Sequence, residues 1–218
     1  MHHPLLASLL ASVAALCLTP AGAVAEPESA LLSASELGDI LDADLSVQQW
    51  ELTSPNGPSE TTPPACRAMS NATTTLVYGA SWNSYEGASY ADGEGSDYRT
   101  VVGQIVGVFP TQKAASEVFA ALAKGLRSCG SKTSVEHRSS GNLTWRNAVD
   151  EITEGGASWH SILNNKPSWR CSLNARLSDK VMVEASVCRF VDPASPAKAA
   201  KLADQVGAIA RALAERAS

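Results

Sequence analysis

The sequence predicts an α+β fold, and three observations support that class. The chain has 218 residues and is 44% hydrophobic, which suits one globular domain large enough to bury a core. Between residues 132 and 188, short strand-like segments follow one another across short turns, which is typical of antiparallel pairing. Two longer segments, ending near residues 129 and 217, repeat their apolar residues with helical spacing. Strands in series together with separate helices indicate the α+β class.

The charge of the chain excludes one class of partner. Lysine and arginine number 17 and aspartate and glutamate number 22, so the formal net charge is −5. A protein that coats a phosphate backbone normally carries a basic stripe, so no nucleic acid partner is expected. The apolar fraction is also too high for a chain that is disordered throughout.

The first 25 residues have the pattern of a secretory signal peptide. Leu5–Leu18 is an apolar run without charge, and it is too short to span about 30 Å of hydrocarbon as a helix. Two Ala-x-Ala sites follow, and cleavage after Ala25 would leave Glu26 at the new terminus. We therefore expect a signal peptide over residues 1–25, an exported domain over residues 26–218, and no transmembrane span.

Cys17 raises the alternative of a lipid anchor. A lipoprotein signal places a small residue directly before its lipidated cysteine, but here that position holds the bulky Leu16. The sequence favours a cysteine that is discarded with the signal peptide, and lipoprotein anchoring stays the alternative. In both cases the domain is expected outside the cytoplasm, secreted or in the cell envelope.

The N-terminal elements follow from local composition. Glu28–Leu41 repeats apolar residues at helical spacing and is predicted to be a helix. Leu52–Pro64 contains four prolines and is predicted to be a loop. Thr73–Trp82 and the β-branched Arg99–Phe109 are predicted strands, the second of them central. Between these strands, the glycine- and tyrosine-rich Asn83–Asp97 is predicted to be a surface excursion.

The C-terminal elements are two helices around a series of strands. One helix is predicted to begin at Pro110-Thr111 and to end at Cys129, where Gly130 suits a C-cap. Pro193–Ala217 is the second helix, with its apolar residues on one face. The predicted strands between them are Lys132–His137, Leu143–Val149, Ala157–Leu163, Trp169–Leu177 and Val181–Cys188.

Four cysteines follow the predicted signal peptide, and an even number in an exported protein indicates disulfides. They allow three pairings, and the sequence alone does not choose among them. A two-residue turn at Asp179-Lys180 would place Cys171 directly opposite Cys188 in one hairpin, which favours that pair. Cys66 and Cys129 then remain for the second disulfide. No C-x-x-C is present, so a four-cysteine metal site is not expected.

The hairpin register that pairs these cysteines has a consequence for packing. It places Leu173, Ala175 and Leu177 on the opposite face from Val181, Val183 and Val187. The hairpin must then contain a bulge or be buried on both faces.

No motif indicates catalysis. A nucleophile elbow needs G-x-S-x-G, and none of the three G-x-S triplets has the closing glycine. His137 and His160 are the two histidines after the predicted signal peptide, and they lack metal-ligand spacing. A cysteine nucleophile is not expected when all four cysteines have disulfide partners. The sequence thus predicts no enzyme, no cofactor and no metal.

Three tryptophans fall in three successive predicted strands. Trp145, Trp159 and Trp169 are each followed by Arg or His, which must point to the opposite face of the sheet. A tryptophan series on one face favours core packing over a ligand platform. The ligand-binding candidates are Trp145, Trp159 and His160, because successive strands could bring them together across the sheet.

Several segments of the chain form a specific combination. They are Tyr78-Gly79-Ala80, V-x-Q-x-V-x-x-F-P-T at Val102–Thr111, K-A-A-S-E-V-F-A-A-L, W-R-C-S-L-N-A-R and V-M-V-E-A-S-V-C. Together they resemble a known family, the PknH-like extracellular sensor domain, which occurs on a mycobacterial receptor serine/threonine kinase and on free-standing secreted or lipid-anchored proteins. The resemblance covers about Ser29 to Ala214, and the spacing of the four cysteines is its most specific part.

The resemblance implies a single twisted antiparallel sheet with packed helices and a central cleft. It also implies the disulfides Cys66–Cys129 and Cys171–Cys188, a role in binding an extracytoplasmic ligand, and no enzymatic activity. The chain departs from the receptor in having no kinase and no transmembrane helix. Any signal would therefore need a partner, for which an envelope protein is the natural class.

Two functional hypotheses stand at this stage. The first is an exported binding domain of sensor type, whose ligand is a small molecule, glycan or lipid of the cell envelope. The second is an extracytoplasmic hydrolase acting on such a molecule, with His137 or His160 in its site. A serine within hydrogen-bond reach of a histidine, in a pocket, would favour the hydrolase.

Overall fold

The computed structural model describes residues 29–95 and 97–218. In this part of the chain, nine strands form one antiparallel sheet in the order β1-β3-β4-β9-β8-β7-β6-β5-β2. The strands are β1 (Val47–Leu52), β2 (Glu60–Thr62), β3 (Ser84–Ala91), β4 (Thr100–Val108), β5 (Thr133–His137), β6 (Leu143–Ile152), β7 (Gly156–Leu163), β8 (Trp169–Ser178) and β9 (Val181–Phe190). The helices are α1 (Ala34–Leu41), α2 (Arg67–Ser70), α3 (Thr75–Tyr78), α4 (Gln112–Cys129) and α5 (Pro196–Ala217), with a 3₁₀ turn at Pro64–Cys66.

The predicted α+β class, with a single antiparallel sheet and packed helices, is confirmed. The predicted signal peptide and Cys17 lie outside the described residues. The five strands predicted between residues 132 and 188 are all present as β5 to β9. Arg99–Phe109 is confirmed as an interior strand, β4, which lies between β3 and β9.

The two largest apolar cores of the described residues lie on the two faces of the sheet. Helices α1 and α5 pack on one face, here called the α5 face, against residues such as Val102 and Val183. Helices α2, α3 and α4 pack on the opposite face, here called the α4 face, against residues such as Ile105 and Met182. Because side chains alternate along a strand, the interior strands supply apolar residues to both cores.

The β8–β9 hairpin lies in the middle of the sheet and has the predicted register. Ser178 pairs with Val181 across a two-residue turn, and Asp179 takes a left-handed conformation with φ of 48°. Cys171 pairs directly with Cys188, and their disulfide joins the two strands with a Cα–Cα distance of 3.9 Å. The apolar residues of both strands are accommodated because the hairpin is buried on both faces.

The second predicted disulfide, Cys66–Cys129, is also present. It joins the 3₁₀ turn to the last residue of α4, at a sequence separation of 63 residues. Helix α4 begins after Thr111, whose side chain accepts the N–H of Ala114, and it ends before Gly130, as predicted. The bridge thus fixes the short helices before β3 to the long helix that covers the sheet.

The predicted strand at Thr73–Trp82 is wrong, because a short helix occupies its centre. The Thr74 side chain accepts the N–H of Leu76 and caps α3. The helix ends at Gly79, whose φ of 60° suits glycine. Tyr78 is fully buried over Gly107 in the core of the α4 face, so tertiary packing overrides the β-propensity of this segment.

The predicted surface excursion at Asn83–Asp97 is wrong over most of its length. Ser84–Ala91 is the interior strand β3, which pairs with β1 on one side and β4 on the other. Its small residues are needed for close packing, since a side chain at Gly87 would collide with Ile105 and Trp50. Strand β1, which carries Trp50, had no counterpart among the predicted elements.

Three predicted boundaries change in smaller ways. The first helix begins at Ala34, because Ser33 and Glu36 form a capping box. The last helix begins at Pro196 and not at Pro193. The predicted loop Leu52–Pro64 contains the three-residue edge strand β2, which pairs with β5.

Removing the hairpin disulfide is expected to lower stability substantially. For a bridge that closes a loop of 17 residues, the chain-entropy model gives a contribution of about 3 kcal/mol. The double variant Cys171→Ser with Cys188→Ser should therefore lose about 2–5 kcal/mol of unfolding free energy in urea titrations. An unchanged urea midpoint, or free thiols at these two positions in the native protein, would contradict the assignment.

An acidic residue, Glu184, lies in the core of the α4 face. It pairs with Ile105 in β4 and Ala175 in β8, and it is 1% exposed. Neither carboxyl oxygen has a hydrogen-bond partner among the described residues. Because burial disfavours the charged form, the pKa of Glu184 rises to about 8.

Glu184 should make stability depend on pH. The ordinary pKa is 4.5 and the folded-state pKa is about 8, so between these values the folded state binds the extra proton. The free energy of unfolding should then fall as pH rises through this range, by at most about 1.4 kcal/mol per pH unit from this group. Urea titrations at pH 5 to 8 should show a shallower fall for Glu184→Gln. The exposed Glu151→Gln should behave as the wild type, and equal slopes in all three proteins would refute the effect.

Candidate functional site in the cleft of the α4 face

A cavity of about 500 Å³ opens on the part of the α4 face that lies toward the Phe190 end of β9. Its floor includes one cross-strand row in which Val101, Cys188, Cys171 and Ser161 are successive partners. The hairpin disulfide is therefore part of the floor. The residues around the cavity are Met69, Ser70, Tyr98, Val101, Glu136, Arg138, Leu143, Trp145, Ser161, Leu163, Lys166, Trp169, Cys171, Leu173, Ser186, Cys188 and Phe190.

Aromatic side chains form one wall of this cleft. Tyr98, from the segment before β4, lies 5.7 Å from Trp169 between ring centroids. Trp169 in turn meets Phe190 edge to face at 4.9 Å, and these two residues are direct partners in β8 and β9. Phe190 is 47% exposed, so an apolar surface is open to a ligand here.

Polar groups gather at the β5–β6 end of the cleft. Arg138 donates from Nε and Nη2 to the two carboxylate oxygens of Glu136, at 2.8 and 2.9 Å. Trp145 Nε1 donates to the same carboxylate at 3.3 Å. Glu136 is 5% exposed and its charge is matched by Arg138, so the ion pair and its hydrogen bonds offset the cost of burying this carboxylate. Lys166, in the turn between β7 and β8, adds a further cation to the lining.

The structure separates the three sequence-based candidates. Trp145 lines the cleft and is 9% exposed. Trp159 points to the same face but is 0% exposed, in the core under α4. His160 points to the α5 face, where its Nδ1 lies 2.8 Å from Asp150 Oδ1. The three residues therefore do not form one group, because adjacent residues of a strand face opposite ways.

The tryptophan series predicted on one face is present, and it is shared between core and cleft. Trp145 and Trp169 line the cleft, whereas Trp159 belongs to the core. Sequence reasoning did not select Phe190, Arg138 or Lys166, which also line it. Tyr98, another lining residue, directly follows the segment predicted as a surface excursion, and the position of Phe190 follows from the hairpin register.

The two histidines of the described chain do not contact a serine hydroxyl. His137 Nε2 lies 3.0 Å from Thr62 Oγ1, and its Nδ1 lies 3.2 Å from Asn142 Oδ1. This hydroxyl–imidazole–amide chain is on edge strand β2 and its neighbours, outside the lining of the cleft. His160 contacts Asp150 instead. The specific observation that would favour a hydrolase, a serine–histidine pair in a pocket, is absent from residues 29–95 and 97–218.

Two other kinds of site are absent from the same residues. No group of three or more His, Cys, Asp or Glu side chains is arranged to hold a metal ion in the part of the chain that the structure describes. None of the described helices has the length and hydropathy required to cross a membrane.

The fold and the cleft define the class, a single-sheet α+β domain with two disulfides and a preformed concave site. Residues 23–216 match the family of PknH-like extracellular domains, so the chain belongs to this family. The resemblance seen in the sequence is thereby confirmed. Membership fits an extracytoplasmic domain of sensor type. None of the curated protein sequences compared with the chain matches it.

A solved structure shares the fold. It is the extracellular domain of PknH from Mycobacterium tuberculosis, with a TM-score of 0.73 and 19% sequence identity, covering 86% of this chain and 92% of that one. Mll3558 from Rhizobium loti has a TM-score of 0.29 at 15% identity, over 54% of this chain and 96% of its own. An Rv0999 ortholog from Mycobacterium smegmatis has a TM-score of 0.35 at 11% identity, over 84% and 97%. The last two scores carry no argument about fold.

Trp159 and His160 lie in different surroundings, so we expect their alanine variants to lose different amounts of stability. Trp159→Ala should lower the free energy of unfolding by about 3–5 kcal/mol, because it empties a fully buried site. His160→Ala should cost less than about 1 kcal/mol, because its contact with Asp150 is partly exposed. Urea titrations of both variants test this assignment, with Trp159→Phe as the milder core control. Equal losses for Trp159→Ala and His160→Ala would show that the core placement is wrong.

Proposed function

We propose that this chain is an exported ligand-binding domain of sensor type and that the cleft on the α4 face holds its ligand. The observation that carries the proposal is a preformed concave site with apolar walls and a few converging polar groups, which is the usual character of ligand sites. The family supports a place outside the cytoplasm, since its members are PknH-like extracellular domains. The ligand class at this level is a small molecule, glycan or lipid of the cell envelope.

The processing of the chain is part of the proposal. The apolar run Leu5–Leu18 directs export, cleavage follows Ala25, and Glu26 becomes the N-terminus of a domain over residues 26–218. Cys17 leaves with the signal peptide, since Leu16 does not suit lipid attachment. An envelope protein partner then contacts the outer surface of this domain and responds to the presence of ligand in the cleft.

The binding role rests on the cleft and not on a catalytic group. Among residues 29–95 and 97–218, the one imidazole with a hydroxyl contact is that of His137, which is outside the cleft lining and next to a threonine. The aromatic wall instead offers exposed apolar area in a defined shape, which suits recognition without chemistry. We therefore infer binding and assign no reaction.

Native mass spectrometry of protein purified from its own cell envelope tests both parts of the proposal. The expected species begins at Glu26, carries no diacylglycerol, and has a non-covalent adduct of fixed mass. Phe190→Ala should lose the adduct without a change in melting temperature, because Phe190 is 47% exposed in the cleft wall. Leu76→Ala is the matched control, since Leu76 is 41% exposed outside the cleft.

Two results would contradict the proposal. An adduct retained equally by both variants would move the binding site away from the cleft, and the absence of any adduct would remove the evidence for an abundant envelope ligand. A lipid on Cys17 would correct the localisation to the membrane surface and leave the cleft assignment in place.

A further inference from the structure

We propose that the ligand of the cleft is a single-chain anionic amphiphile, with its phosphate or carboxylate head at Arg138 and Lys166. Its apolar chain would lie along the disulfide floor toward Trp169 and Phe190. This inference rests on the proposed function, because it names the class of ligand for the same cleft. It follows from the positions of the charges, from the hydrogen bonding of the polar lining, and from the shape of the apolar floor.

The two cations lie at the same end of the cleft. Arg138 follows the end of β5, where Glu136 pairs with Leu143 of β6. Lys166 follows the end of β7, and the Asn164 N–H before it donates to the Thr144 carbonyl of β6 at 2.8 Å. Both therefore flank the first residues of β6. The aromatic wall begins directly after Lys166, where the Trp169 N–H donates to the Lys166 carbonyl at 2.8 Å, and it continues through Phe190 of β9 to Tyr98, which precedes β4.

The charge at this end is positive. The Glu136 carboxylate is fully engaged by Arg138 and Trp145, so it neutralises one cation. The Lys166 ammonium has no hydrogen bond or ion pair with any described residue, which leaves one uncompensated positive charge among the lining residues. The whole sequence carries −5, so this local excess of positive charge contrasts with the rest of the protein. An anionic group is the complementary partner.

The interior of the cleft offers few free hydrogen-bonding groups. The Ser161 hydroxyl donates to Asn147 Oδ1 at 2.7 Å, and Glu136 is occupied as described. Ser186 Oγ donates to the Gly103 carbonyl at 3.5 Å, and Ser70 and Tyr98 supply the other side-chain hydroxyls of the lining. The rest of the floor includes the disulfide, Leu163, Leu173 and Val101. A glycan lying on this apolar floor would lose water from more hydroxyls than these few groups could satisfy, which is costly. An alkyl chain has no such requirement, so the observations favour an amphiphile over a glycan.

A series of dodecyl compounds tests the head and the chain separately. Dodecyl phosphate, dodecylphosphocholine and dodecyl maltoside are titrated into the protein below their critical micelle concentrations. Trp145 and Trp169 line the cleft, so their fluorescence reports occupancy, and calorimetry gives the dissociation constants. We expect dodecyl phosphate to bind most tightly, and inorganic phosphate alone to bind too weakly to measure.

Charge reversal at Lys166 provides the decisive comparison. Lys166→Glu should weaken dodecyl phosphate binding by about tenfold, and it should strengthen binding of dodecyltrimethylammonium, since the partner charge is inverted. Lys201→Glu is the matched control, because this exposed lysine of α5 is outside the cleft and the change in net charge is the same. Arg138 is left intact, since it neutralises the buried Glu136.

The outcomes separate this inference from the proposed function. Equal affinity for dodecyl phosphate and dodecyl maltoside, or equal effects of Lys166→Glu and Lys201→Glu, would overturn the assignment of the head. If no dodecyl compound binds while the Phe190-dependent adduct persists, the amphiphile is wrong and the binding function stands. If both are absent, the proposed function fails as well.

Discussion

The β8–β9 hairpin has to supply two apolar cores at once, and the packing of the molecule depends on its register. Both strands are interior, with helices on each face of the sheet. The two-residue turn at Asp179-Lys180 places odd residues of β8 and even residues of β9 on the α4 face. A slip of one residue would exchange the faces and bury the wrong side chains. The Cys171–Cys188 bridge holds this register by a covalent bond.

The same disulfide stabilises the hairpin and forms part of the floor of the candidate site. Helix α4 covers Trp159, Ala175 and Met182, whereas the neighbouring part of the same face is left open as the cleft. In this open part, aromatic side chains and the disulfide lie over the backbone of the strands. The floor of the site is built on interior strands and is held by the sheet ladder on both sides, so the shape of the floor does not depend on a mobile loop. This arrangement suits a preformed ligand site.

Acidic side chains are buried in two different ways on the α4 face. Glu136 is matched by Arg138 and Trp145 and contributes a polar end to the cleft. Glu184 has no such partner, and burial raises its pKa to about 8, so it enters the core largely as a neutral acid near pH 7. The charge of the cleft is therefore set by Glu136, Arg138 and Lys166. Glu184 affects the stability of the fold.

The sequence by itself determined the elements whose signals are local. The Thr111 cap and Gly130 define α4, the turn at Asp179-Lys180 defines the hairpin, and the cysteine pairs follow from that register and the family resemblance. Only the tertiary structure decided that Ser84–Ala91 is an interior strand, because its small residues become favourable only under Trp50 and beside Ile105. It also decided that Trp145 lines the cleft while Trp159 is core. Strand alternation makes these two tryptophans equivalent, and the position of α4, which depends on long-range packing, distinguishes them.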